Sequence, residues 1–310
     1  MSTTLLIPGF LRAHQAAGRP RMPALERMLA RATQTDTRDM GACLVPSFGL
    51  VVGDIHPGPF MRLGDGGQRD ECYWLRADPV HLAPDRDQLV LMPPSVLGVT
   101  PEERAALAAA FDATYVADGW HLEFSTAGRG YLRTPKTLDA VTHDPDAFVG
   151  GPVLEAMPSG ADGKLLKQIM NETQMLFHTH PVNISREEQG RPAINSLWFW
   201  GGGSLPAATR KAPPRIVTDL PLLRGLATWA SQSVVAPSDA AAVIAGDLIA
   251  VQADDIGALE RDWFGPLLKM VKVGALDDFH FHLEGLGDFK LSPGAARRFW
   301  RLGRPLGGAP

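Results

Sequence analysis

The apolar runs TTLLI near the start, RIVTD from Arg215 and DLIAVQ from Asp247 are short and nearly continuous in Val, Ile and Leu. Runs of this kind read as buried strands, and strands buried on both faces belong in sheets covered by helices. The first is stopped by Pro8 and Gly9, and "MPALERMLARA" then carries Leu25, Met28 and Leu29 at helical spacing behind Pro23. The segments between the later runs also read as helices. Strand and helix alternating in this way predict an α/β fold with a largely parallel, helix-covered sheet.

A second pattern interrupts the first. "CYWLRADPVHL" and "DQLVLM" read as strands around the turn "APDRD", and "WHLEFS" and "GYLRT" as strands around "TAGR". Between them "TPEERAALAAAFDATYVADG" opens with a capping box, Thr100 to Glu103, with Pro101 at the first helical position. The order β-β-α-β-β over 70–135 predicts a compact α+β unit set into a larger one. The expected division is a core of residues 1–69 and 150–310 and an inserted domain of 70–149. Residues 41–70, rich in Gly and Pro, read as loop with one short strand near Leu50 to Val52, and "GDGGQRD" reads as the boundary. "DDFHFHLEG" alternates apolar and polar residues and reads as an antiparallel or edge strand.

The chain's 310 residues allow one large domain or two smaller ones, and 45% hydrophobic with 21% charged residues is a globular balance. A net charge of -4 with no dense Lys/Arg run leaves nucleic-acid binding unsupported. No stretch approaches the roughly 20 apolar residues of a bilayer span, and Leu5 to Ile7 is too short an apolar run for a signal peptide. The two cysteines, Cys43 and Cys72, make no disulfide framework, so a reducing cytoplasm is the expected compartment.

Polar residues concentrate between Asn171 and Gly203. "DGKLLKQIMNETQMLFHTH" reads as a helix with Leu165, Leu166, Ile169, Leu176 and Phe177 in an apolar stripe, and Pro181 ends it. Asn171, Gln174 and His178 fall on one side of that helix. Asn171, His178, His180, Asn183, Arg186 and Asn195 are therefore candidate ligand-binding residues, with Arg186 able to clamp a phosphate or carboxylate. The same asparagines and histidine can equally cap helix ends and satisfy buried loop backbone. "WGGG" can cradle an anion or make a sharp turn of positive φ. His280, His282 and Glu284 share one strand face, a set able to hold zinc or another divalent ion but also the ordinary product of a solvated face. No GxSxG or other nucleophile motif is present, and catalytic residues are unassigned.

At "HTHPVNISREEQGRPAINSLWFWGGG" the chain resembles the RpfE-type regulatory proteins of bacteria, which are related to the archaeal-type cofactor-independent phosphoglycerate mutases. The likeness extends to "LLIPGFL", "YWLRADPVHLAPDRDQLVL", "ADGWHLEFSTAGRGYLR" and "DDFHFHLEG". It implies an alkaline-phosphatase-like core carrying a smaller inserted α+β domain. In the mutases two divalent metal ions and a serine nucleophile sit at the carboxyl ends of core strands. His180, Pro181, Asn183, Arg186 and Asn195 match the mutase-type pattern. The chain departs from it at the end of the first strand, where an Asp-Gly that ligates metal is replaced by Pro8 and Gly9, and in lacking the Asp-His-Gly and Asp-His-His elements.

Two metals flanking a transferring phosphoryl group need carboxylate and imidazole ligands. The resemblance therefore implies a catalytically degenerate, phosphoglycerate-mutase-like regulatory protein that binds a phosphorylated metabolite or a partner protein and needs no cofactor. The alternative is an active metal-dependent mutase or phosphohydrolase, using Mn or Zn held by ligands drawn from Asp54, His56, His280, His282 and Glu284. A purely structural partner of another protein would instead show an exposed apolar patch.

Overall fold

The computed structural model describes residues 2–35, 40–51, 53–85, 88–92, 96–207, 213–303 and 305–306. Strands are numbered β1 to β13 and helices α1 to α11 in chain order. The protein is a mixed α/β chain that divides into two compact units, Met1–Ile55 with Ala208–Pro310, and His56–Ala207. Among the described residues no helix is long and apolar enough to cross a membrane.

The first unit is built on a seven-stranded, mostly parallel sheet. Its strands are β1 (Thr3–Ile7), β2 (Thr33–Thr35), β9 (Ile216–Thr218), β10 (Val234–Val235), β11 (Leu248–Ala250), β12 (Phe279–Leu283) and β13 (Gly287–Leu291), in the order β10-β9-β11-β1-β12-β13-β2. Strand β1 is parallel to both neighbours, pairing Leu5 with Ile249 and with Phe281. Strands β13 and β2 join antiparallel. The sheet carries α1 (Phe10–Ala16), α2 (Pro23–Arg31), α3 (Met40–Phe48) and α8 (Pro221–Trp229). The short α9 (Ile256–Ala258) runs through a wide π turn (Leu259–Phe264) into α10 (Gly265–Val273), and α11 (Pro293–Ala296) follows β13. Leu25 and Met28 of α2 and Leu267, Leu268 and Val271 of α10 share one buried cluster with Leu5, Ile7, Phe279 and Phe281.

The second unit is antiparallel. Strands β3 (Trp74–Val80), β6 (His121–Phe124), β7 (Gly130–Arg133) and β8 (Ser196–Gly203) form a sheet in the order β6-β7-β3-β8, and β4 (Leu82–Asp85) pairs with β5 (Gln88–Leu91) as a hairpin. Helices α5 (Pro101–Tyr115) and α6 (Gly163–His178) cover one face, where Phe111, Leu166 and Phe177 meet Leu75, Leu122, Leu197 and Phe199. Helices α4 (Pro57–Gly64) and α7 (Pro181–Glu188) complete the unit. The Thr100–Glu103 capping box forms as read, with Pro101 in the first turn of α5.

The division differs from the expected 1–69, 70–149 and 150–310. Residues 56–69 and 150–207 fold with the smaller sheet, because β8 pairs antiparallel with β3, Ala77 opposite Phe199, and α6 packs against β8. "NSLWFW" looks like a parallel core strand because it is buried on both faces. Leu197 and Phe199 enter the helix-covered core, while Trp198 joins Val80, Leu82 and Leu91 in a separate cluster. Residues 41–70 are likewise not mainly loop: they hold most of α3 and all of α4, and Val52 lies outside the described residues. Strand β12 pairs antiparallel with β13, as expected of one reading of "DDFHFHLEG", and is not an edge, because β1 pairs with its other side in parallel.

The three glycines of "WGGG" end β8 in place of making a turn. Gly201 has φ +63, and a Cβ on Gly202 would meet the Tyr73 hydroxyl at 2.6 Å. Their backbone lies against α4, whose Gly58 has no room for a side chain: a Cβ there would stand 2.5 Å from the Trp74 carbonyl oxygen and 2.9 Å from that of Gly201. Both obstacles are backbone. Gly58→Ala should therefore lower the stability of this unit by about 1–3 kcal/mol in chemical denaturation. Gly294→Ala, where a Cβ meets open space, should not.

Candidate functional site

The six polar residues read from the sequence lie on α6, at the start of and within α7, and just before β8. Asn171 and His178 lie on the exposed side of α6. His180 has extended backbone, as Pro181 requires, and its Nδ1 accepts the Val182 amide at 3.2 Å to start α7. Burial pushes the His180 pKa down, which favours the neutral ring whose lone pair makes that cap. Asn183 is buried on α7. Its Nδ2 donates to the carbonyls of Phe177 and Ile194, both at 2.8 Å, and its Oδ1 accepts the Ile194 amide. Asn195 does the same for Leu82, accepting its amide at 2.8 Å and donating to its carbonyl at 2.9 Å.

Arg186 is fully buried. Its Nε donates to the Pro192 carbonyl at 2.7 Å, one terminal nitrogen donates to the Glu103 carboxylate at 2.7 Å, and the other donates to the Leu97 carbonyl. The guanidinium holds two loops and the start of α5 together. No face of it is open to a ligand, so the clamp expected at Arg186 closes on the protein itself.

A cluster that the sequence reading missed lies on the other face of the second sheet. Arg76 is buried, donates to the Tyr131 hydroxyl at 3.4 Å and pairs with Asp78. Its guanidinium lies 5.0 Å from the Tyr131 ring centre and 5.6 Å from that of Trp200, whose indole donates to Asp78 at 2.7 Å. Tyr131 in turn donates to Asp65 at 2.6 Å, and Arg129 engages both oxygens of Asp65. Burial pushes the Asp65 carboxyl up, but the bonds from Arg129 and Tyr131 outweigh it and the group ends below its usual range. Burial pushes the Tyr131 hydroxyl up. The signal was the alternation Trp74, Arg76, Asp78 on one strand face.

In the first unit the carboxyl ends of β1 and β11 meet where an open α/β sheet ordinarily binds ligands. Gly9, left-handed at φ 64, starts α1 and donates its amide to Glu284 Oε2 at 2.6 Å. A shallow groove of about 600 Å³ is lined by Ala13 and Ala17 of α1 together with Ala253, Asp254, Asp255 and Gly257. Asp255 caps α9 by accepting the Ala258 amide at 2.9 Å.

The metal candidates of β12 separate. His280 pairs with Asp278 at 3.1 Å, Glu284 holds Gly9, and only His282 is buried, its Nδ1 3.1 Å from Asp288 Oδ1. The Sγ of Cys43, on α3, approaches the same two groups, at 3.4 Å from Asp288 Oδ1 and 3.9 Å from His282 Nδ1. Asp54 accepts the Val51 amide, and His56 belongs to the other unit.

No family model matches the chain. It is 28% identical over 151 residues to the 2,3-bisphosphoglycerate-independent phosphoglycerate mutase of Methanothrix thermoacetophila, covering 47% of this chain and 38% of that one. Over 176 residues it is 25% identical to a probable enzyme of the same kind from Geobacter sulfurreducens, covering 55% and 44%. The matched stretches thus span less than half the length of these curated relatives. The solved cofactor-independent phosphoglycerate mutase of Thermoplasma acidophilum aligns over 99% of this chain and 94% of its own, with 17% identity and a TM-score of 0.43. The sequence relationship is a weak homology to these mutases over part of the chain.

Burial pushes the Glu103 carboxyl up, but hydrogen bonds from the Thr100 amide and from Arg186 hold it below its usual range. A carboxylate depressed in this way stabilises the fold above its unfolded pKa and loses that contribution as pH falls through the folded value. Arg186→Ala, which leaves Glu103 without its buried partner, should cost about 3–5 kcal/mol in urea unfolding. Glu103→Gln, which keeps the cap, should be less stable than the unsubstituted chain at neutral pH. That difference should close as pH falls below the unfolded value of about 4.3.

Proposed function

We propose that the protein is a phosphoglycerate-mutase-like regulatory protein with an alkaline-phosphatase-like core, in which phosphoryl transfer by the mutase mechanism has been lost. The observation that carries this reading is the contact between Gly9 and Glu284 at the end of β1. The mutases that the sequence resembles place a metal-ligating Asp-Gly there. In this chain Pro8 offers no donor, Gly9 offers only backbone, and the nearby Glu284 carboxylate is engaged by the Gly9 amide. Pro8 and Gly9 supply no side-chain ligand for a pair of divalent ions.

Acidic residues also speak against a phosphorylated metabolite in the groove along α1: Asp254 and Asp255 border it, and an incoming phosphate would meet their charge. A partner protein is the better supported binding class. Phe299, Trp300 and Leu302 expose most of their apolar surface, with the two rings packed edge to face at 5.2 Å. Exposed apolar side chains gathered in one short segment suit a protein contact.

The test is a phosphoglycerate mutase and general phosphatase assay on the purified chain with Mn²⁺ added and removed. Turnover should stay at background in both conditions. Turnover that depends on Mn²⁺ and disappears on chelation would overturn the reading.

A further inference from the structure

We propose that Cys43, His282 and Asp288 form a site for one divalent transition-metal ion, with zinc the ion that suits the donor set best. His282 on β12 and Asp288 on β13 are direct partners across the antiparallel pair, and α3 brings Cys43 over them. Among the described residues these three offer ligand atoms that all lie within 4.8 Å of one another. The site joins one β-hairpin to a helix more than two hundred residues earlier in the chain, so no local spacing motif that includes the cysteine announces it.

The geometry is that of one face of a coordination tetrahedron. Zinc bonds of about 2.3 Å to sulfur and about 2.0–2.2 Å to nitrogen and oxygen set neighbouring ligand atoms roughly 3.3–3.6 Å apart. Here the sulfur–oxygen, sulfur–nitrogen and nitrogen–oxygen separations are 3.4, 3.9 and 3.1 Å. Small side-chain adjustments bring all three to an ion. His282 Nε2 is buried without a hydrogen-bond partner, so the ring's polar engagement is through the Nδ1 edge that faces Cys43 and Asp288.

The chemistry selects the ion. A thiolate among the ligands disfavours Mg²⁺ and Ca²⁺, which take oxygen donors, and imidazole with thiolate suits zinc. The thiolate and carboxylate carry two negative charges, the neutral imidazole none, and a divalent ion brings their sum to zero in a largely buried place. Binding releases the thiol proton, and the neutral imidazole ligates through Nδ1 with its single proton on Nε2, the tautomer opposite to the one that donates to Asp288 without metal.

The competing arrangement is a metal-free hydrogen-bonded triad, with the Cys43 thiol and the His282 ring both donating to Asp288. The two differ in what they do to the sulfur. The full chain, stripped of metal with a chelator, is titrated with Zn²⁺ and separately with Co²⁺, whose thiolate charge-transfer absorption reports a cobalt–sulfur bond. Alkylation of Cys43 and Cys72 is followed by mass spectrometry with and without zinc, which needs no substitution and so does not depend on any variant folding. One equivalent of zinc should bind, and it should shield Cys43 while leaving Cys72 as reactive as before.

The cobalt band should vanish in Cys43→Ser and persist in His280→Asn. The loss of zinc affinity in Cys43→Ser should exceed the roughly 10–100-fold that outer partners of a metal site are worth. Absence of a stoichiometric ion, a cobalt band that survives Cys43→Ser, or equal Cys43 alkylation with and without zinc would each overturn the site. Because no turnover is read, either result stands apart from the mutase assay.

Discussion

The first unit depends on the way β1 is enclosed. It is hydrogen-bonded on both edges, to β11 and β12, and Leu5, Leu6 and Ile7 have no exposed surface. A central parallel strand of this kind can present chemistry only where it ends. The chain ends it with Pro8 and Gly9, and the left-handed Gly9 turns at once into α1 while its amide is taken by Glu284, the residue just past the end of β12. A carboxylate used to close the start of a helix is a favourable partner for that amide and for the positive end of the helix. One of its two oxygens is thereby already engaged.

The second unit is organised around a buried cation. Arg186 holds Glu103, Leu97 and Pro192, and Glu103 also completes the capping box of α5 and accepts from Arg191. The ion pair, the helix cap and two loop carbonyls share one set of charges. Such a set is costly to desolvate and more costly to break, because removing one member leaves another charged and unpaired. Asn183 and Asn195 extend the same logic to neutral groups, each supplying a donor and an acceptor where a strand or helix ends without a backbone partner.

Local features were legible in the sequence. The capping box of α5, the hairpin of β6 and β7, the long α6 and its stop before Pro181, and the buried β1, β9 and β11 all follow from spacing within one element. What escaped depends on partners far along the chain. Continuous burial marks β8 as covered on both faces but does not say whether it belongs to a parallel or an antiparallel sheet. Gly- and Pro-rich stretches hid α3 and α4, in which Pro46 lies inside one helix and Pro57 opens the other. For the candidate site, alternation placed His280, His282 and Glu284 on one face, but the ends of those side chains go to Asp278, Asp288 and Gly9. Cys43 had no local companion to mark it.

The segment from His180 to Gly203 shows why a motif can speak for architecture without speaking for activity. Its histidine caps a helix, its proline fixes the bend, its asparagines and arginine hold backbone, and its glycines let α4 lie against β8. Each of these tasks belongs to the second unit alone and can be met whether or not phosphoryl transfer occurs elsewhere. Metal-dependent chemistry makes the opposite demand, since it needs particular ligands at a particular strand end and tolerates no substitute that merely keeps the fold. A chain can therefore carry the HPVN segment intact and hold Pro8 and Gly9 at the end of β1, with the two observations bearing on different links between sequence and function.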